Sequence, residues 1–146
     1  LKDQILQSSE IFWNSNGVAG FIFVDDLDRI YSRPNDIGKN TDSYSVPPPF
    51  ADKNPYECSL ILQELSEKDG CSGVEYDTFA IVDARSLVDG TMLLVGEPEE
   101  EDLGESSSVR ITFELLGSHL SLWGAGHTTP LEDKERAAET IDGVLR

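Results

Sequence analysis

Carboxylates are the most abundant groups in this chain that could do chemistry, and three of them, Asp25, Asp26 and Asp28, close the apolar run Phe21-Ile22-Phe23-Val24. The C-terminal end of a strand is where ligand-contacting groups collect in α/β arrangements, and paired carboxylates there suit a hard cation such as Mg²⁺. The spacing does not encode a calcium loop, because the glycine and the terminal bidentate Glu are missing at their offsets. The same residues serve a solvated turn equally well, since Asp bonds readily to its own backbone two residues on. Asp83 ends a second apolar run, Phe79-Ala80-Ile81-Val82. Asp25, Asp26 and Asp83 therefore make one candidate catalytic set for metal-assisted chemistry, with His127 as its acid or base.

His119 and His127 are the only histidines, and neither has a second ligand at helical spacing. A zinc site would need Cys58, Cys71 or Asp83 to converge on them from elsewhere. Gly124-Ala125-Gly126-His127 resembles the start of a phosphate-binding loop, but the third glycine and the downstream acid are absent, so a joint between strand and helix is expected. Ser86, Ser118 and Ser121 lack the context of a nucleophile elbow, and the two cysteines lack a catalytic signature. No triad, cofactor motif or metal motif can be assembled from spacing, and free thiols are expected.

A second candidate is electrostatic. Acidic residues number 28 against 11 basic ones, a formal net charge of −17. Such a field repels phosphate backbones and anionic lipid, which excludes nucleic acid and membrane surfaces as expected partners, and it permits a basic protein, a polyamine or a metal ion. The charge peaks in Glu97, Glu99, Glu100, Glu101 and Asp102, the candidate binding residues. The plainer role of so much acid is solubility.

The elements that must carry these groups follow from periodicity. Leu1 to Asn14 predicts a helix and Val18 to Asp25 a buried strand. Residues 27 to 53 predict a long polar loop containing Pro47-Pro48-Pro49, a stiff polyproline segment. Asn54-Pro55-Tyr56-Glu57 is a helix start with a capping box, its apolar face formed by Tyr56, Leu60, Ile61 and Leu65 and its stop by Gly70. Thr78 to Asp83, Thr91 to Glu97, Val109 to Leu115 and His119 to Trp123 predict four more strands, with one helical turn within Ala84 to Gly90 and the acidic run as a tip between strands. Thr129-Pro130-Leu131-Glu132 opens a last helix with Leu131, Ala138, Ile141 and Leu145 on its buried face.

The expected architecture is one α+β domain over residues 1–146, a mixed sheet of about five strands covered mainly on one face by about three helices. If the Val18 strand is parallel to the Thr78 strand, their crossover is right-handed. No apolar run is long enough to cross a membrane as a helix, and the start at Leu1 suggests a mature or trimmed product whose compartment cannot be read.

The segments Phe79-Ala80-Ile81-Val82-Asp83-Ala84-Arg85-Ser86, Leu93-Leu94-Val95, Arg110-Ile111-Thr112-Phe113 and Leu120-Ser121-Leu122-Trp123, with Phe23-Val24-Asp25-Asp26, resemble a family of small acidic bacterial proteins classed as a domain of unknown function. The resemblance implies the same α+β layout and supplies no activity. Two readings of function result: a non-enzymatic interaction domain that docks a basic partner through its acidic surface, and, as the alternative, a metal-dependent enzyme with carboxylates at strand ends.

Overall fold

The computed structural model describes residues 22–31, 49–101, 103–105 and 107–146. The first helix among the described residues, α1 (Pro55–Ser66), begins as its residues dictate. The Asn54 side chain accepts from the Glu57 amide at 2.8 Å, and the Glu57 carboxylate accepts from the Asn54 amide at 3.0 Å. Beyond the cap the buried residues are Cys58, Ser59, Leu62 and Leu65, and Leu60 faces outward. The expected face was therefore rotated, with Leu62 inward instead of Leu60. The chain leaves through Gly70, whose φ of +83° is a left-handed conformation that favours glycine.

Four strands follow, with short helices between and after them: β1 (Thr78–Ile81), α2 (Ser86–Asp89), β2 (Thr91–Gly96), β3 (Ser108–Thr112), a 3₁₀ turn at Phe113–Leu115, α3 (Leu116–Gly124), α4 (Pro130–Ala138) and β4 (Val144–Leu145). They form one mixed sheet in the order β1-β2-β3-β4, antiparallel except for β3 with β4. The fold is α+β with four strands among the described residues, not about five.

Two expected strands are missing among the described residues, and one that was not expected, β4, is gained. Residues 22–26 have no regular secondary structure and are not a strand of the sheet. Phe23 packs with one buried cluster while Ile22 and Val24 pack with the other, so the two-residue alternation of a strand survives without its place in the ladder. Residues 18–21 lie outside the described residues, as do the expected first helix and Pro47 and Pro48 of the triple proline. Most of the crossover expected between the Val18 and Thr78 strands lies outside the described residues, and among the described residues β1 pairs only with β2.

The second lost strand, His119 to Trp123, is helical, within α3. Its sequence satisfies both periods: His119, Ser121 and Trp123 alternate with Leu120 and Leu122, but Leu116, Leu120 and Trp123 also fall on one helical face. Packing decides, because those three join Met92, Leu94, Val109 and Ile111 in one apolar cluster. The strand expected through Leu115 stops at Thr112 for the same reason, as the chain must turn onto the sheet.

Directly paired residues share a face of the sheet. Ala80, Leu94 and Val109 form one row and Met92, Ile111 and Leu145 another, and α3 and α4 cover this face. Gly96 lies on it as well: a Cβ there would stand 2.9 Å from Pro130 Cγ and 3.1 Å from the Trp123 ring, so the helix pair closes onto β2 only over glycine. Phe79 points to the other face and joins the second cluster, built from Tyr31, Leu62, Leu65, Cys71 and Val74. The helices are thus divided between the two sides rather than gathered mainly on one.

The last helix is capped as expected, with Thr129 Oγ1 accepting from the Glu132 amide at 3.3 Å and the Glu132 carboxylate from the Thr129 amide at 2.9 Å. Its buried face is not the expected one. Asp133 and Ala137 point inward, Leu131 and Ala138 are exposed, and Ile141 lies in a fully exposed turn beyond the helix end. Leu145 is buried in β4 rather than on a helix. The apolar spacing misleads here because a small Ala137 and a hydrogen-bonded Asp133 let α4 lie close to β3. The Thr140 hydroxyl, which donates to the Ala137 carbonyl oxygen at 2.7 Å, ends the helix early.

Candidate functional site

Three polar constellations stand out, and sequence spacing exposed only one of them. The first is built on Asp133, in the first turns of α4 and entirely shielded from solvent. One carboxylate oxygen bonds His119 Nδ1 at 2.6 Å and accepts the Trp123 indole N–H at 2.8 Å. The other accepts the Thr128 hydroxyl and an Arg136 N–H, both at 3.3 Å. A buried carboxylate is tolerated only when its lone pairs are filled in this way. A carboxylate on Nδ1 orients the ring and leaves Nε2 as the working atom, the arrangement of a histidine general base. No hydroxyl among the described residues bonds Nε2, and that of Ser118 is occupied by the Leu115 carbonyl oxygen at 2.8 Å. The signal that could have found this group is the helical reading of Leu116 to Trp123, which puts His119 and Trp123 one turn apart on the same face.

The second constellation lies on the opposite face of the sheet. Arg110, on β3, donates from both terminal nitrogens to Asp83 and from Nη1 to Thr91 Oγ1 at 3.2 Å. Asp83 also accepts from the Ser86 amide at 3.0 Å and its hydroxyl at 3.1 Å. Partial burial works to raise the Asp83 pKa, but the bonds from Arg110 and Ser86 outweigh it and hold the carboxyl below its ordinary value. Asp89 accepts the Thr91 hydroxyl at 2.6 Å and Arg85 Nε at 2.6 Å, and those two bonds lower its pKa. Arg146 forks onto both oxygens of Asp142 at 2.7 Å, which brings the Asp142 pKa down to about 2.

The third is the loop between β2 and β3. Glu97, Glu99, Glu100 and Glu101 are exposed, and Asp102 lies outside the described residues. The loop has a defined course, with Glu97, Leu103 and Gly104 at positive φ. Gly104 is buried so close to Pro55 that a Cβ would come within 2.5 Å of the proline Cβ, and Lys134 donates from its ammonium to the Glu105 carbonyl oxygen. The loop is thereby fastened to the start of α1 and to α4.

The other expected site residues are placed as follows. Asp25 and Asp26 wrap the buried Tyr31 hydroxyl, which accepts from both of their amides at 3.1 Å and shares its proton between the Asp26 carbonyl oxygen and Asp25 Oδ1. Asp26 Oδ1 accepts from the Asp28 amide at 2.9 Å, closing an Asx turn. Burial raises the Tyr31 pKa. His127 is exposed beyond the end of α3. Among the described residues no three His, Cys, Asp or Glu side chains gather as a metal-holding group. Cys58 and Cys71 are buried and unpaired; burial pushes the Cys58 thiol up to about 11. No helix of the described residues is long and apolar enough to cross a membrane. No family model, curated protein or solved structure matches the chain.

Proposed function

We propose that this chain is a non-enzymatic docking domain that binds a basic protein segment on the loop between β2 and β3, through Glu97, Glu99, Glu100, Glu101 and Asp102. One observation carries the reading. The four described glutamates are exposed and make no ion pair among the described residues, whereas Arg85, Arg110, Arg136 and Arg146 are all engaged with carboxylates elsewhere in the chain. Negative charge is left unanswered on a loop whose course is already fastened by Gly104 and Lys134, which lowers the ordering cost of binding. A net charge of −17 then steers cationic partners toward it. Kinship with the small acidic bacterial family is part of the proposal and brings no activity of its own. No observation favours the metal-dependent enzyme, since Asp25 and Asp26 build a turn and Asp83 is held by Arg110.

Calorimetric titration with a lysine-rich peptide tests the proposal. The affinity is expected to fall as salt rises, and to fall about tenfold in Glu99→Gln/Glu100→Gln/Glu101→Gln, as three exposed ion pairs would give. A peptide that does not bind at low salt, or that binds the variant as well as the wild type, sinks it.

A further inference from the structure

Both stems of the loop between β2 and β3 rest on the same helix. Gly96 ends β2 beneath the start of α4, where a Cβ would stand 2.9 Å from Pro130 Cγ. On the other side, shortly before β3 begins, the Glu105 carbonyl oxygen accepts from the Lys134 ammonium. The stems are also joined to each other, since the Gly96 amide donates to the Ser107 carbonyl oxygen at 2.9 Å. Between them the loop has only local bonds of its own: the Leu103 amide donates to the Glu100 carbonyl oxygen at 3.3 Å and the Gly104 amide to that of Glu99 at 3.2 Å.

The helix that carries both stems is fixed from below. Pro130 and Lys134 are four residues apart and so share one side of α4, while Asp133 points into the protein. Trp123, whose indole N–H bonds Asp133 at 2.8 Å, is the other side chain for which Gly96 leaves room, 3.1 Å from where a Cβ would be. The first stem thus reaches Asp133 through Trp123, and the second reaches the residue next to it through Lys134. A loop mounted on a sealed helix is ordered before a partner arrives, which is how a binding surface avoids paying that entropy on contact. We propose, resting on the docking role of this loop, that α4 is its mount and Lys134 its positioning residue, so that the centre at Asp133 sets how the glutamates are presented.

Removing Lys134 has two opposed effects. Lys134→Met makes the chain one charge more negative, which by itself draws a basic peptide more strongly, and it frees the Glu105 stem, which raises the ordering cost of binding. At physiological salt the charge effect is screened within about 8 Å, so the second is expected to win.

Native-state amide hydrogen exchange of the full chain without peptide, and calorimetry with the lysine-rich peptide at physiological salt, test the proposal on Lys134→Met and Lys134→Arg. In Lys134→Met the Leu103 and Gly104 amides are expected to exchange at least about fivefold faster while Leu94 in β2 keeps its rate, and the peptide to bind about threefold more weakly. Lys134→Arg, which keeps both donor and charge, is expected to stay at the wild-type level in both. Loop exchange that is unchanged in Lys134→Met overturns the proposal, whether or not the wild type binds peptide. So does an acceleration that extends to Leu94, which would make Lys134 a support of the whole fold, and so does tighter peptide binding by Lys134→Met, which charge alone explains.

Discussion

Asp133 and Asp83 lie on opposite sides of one sheet, and each accepts several hydrogen bonds, yet they are stabilised in different ways. Asp133 is sealed beneath α4 and is satisfied by a ring nitrogen, an indole, a hydroxyl and one guanidinium. Asp83 is partly open to water and is held by the guanidinium of Arg110 and by its own turn. A sealed carboxylate ties folding to the completeness of its partner set, because nothing else can solvate it. An open one can exchange partners with water at small cost, so its network shapes a surface more than it holds a fold. The comparison separates a structural polar centre from a surface on which interactions are built.

The largest expected effect belongs to Asp133. Asp133→Ala strands the ring and indole N–H groups beneath α4 and should cost roughly 3–5 kcal/mol in urea unfolding, the usual result of breaking a buried pair. Asp83→Ala should cost less, roughly 1–2 kcal/mol, since water reaches the site and can solvate what is left. Equal losses would erase the distinction. The cap of α4 ranks next: Thr129→Ala is expected to cost about 1 kcal/mol, and Ile141→Ala less than about 0.5 kcal/mol in the single chain, because Ile141 touches no core. Thermal unfolding of both gives that order.

The smallest effect is on pH dependence. The Asp83, Asp89 and Asp142 carboxyls titrate below their ordinary value in the folded chain. Their contribution is therefore complete above an unfolded pKa of about 3.9 and is lost as pH falls through the lower folded values, which for Asp142 is about 2. In that window the unfolded chain binds more protons, so stability rises with pH. Asp142→Asn should flatten the rise between those two values without moving the curve near neutrality. An unchanged slope would mean that the Arg146 fork does not persist in solution.

Local signals were legible wherever they were self-contained. Both capping boxes form as Asn54-Pro55-Tyr56-Glu57 and Thr129-Pro130-Leu131-Glu132 imply, because every partner lies within three residues. β1, β2 and the turn of helix between them also fall where the apolar runs put them. What could not be read depends on distant contacts. His119 to Trp123 fits two periods, and only burial against β2 and β3 selects the helix. The inward side of α4 carries an aspartate, which apolar periodicity cannot nominate, since its place depends on an indole and an imidazole from another helix. Asp83 was visible as an acid at a strand end, but its partner Arg110 lies two strands away and turns a candidate metal ligand into half of an ion pair. The acidic loop was plain as charge, whereas the contacts of Gly104 with Pro55 that give it a defined course were not.

The Glu97, Glu99, Glu100 and Glu101 carboxylates make no ion pair among the described residues, whereas Asp83, Asp89 and Asp142 are each answered by an arginine. A salt series on the full chain tests the docking role of this loop most directly, with lysine-rich peptide binding followed by calorimetry. Peptide binding is predicted to weaken as salt rises, and Glu99→Gln/Glu100→Gln/Glu101→Gln is predicted to lower the affinity and flatten that dependence. Peptide binding that is indifferent to salt, or that these substitutions leave unchanged, would contradict the docking role of the loop.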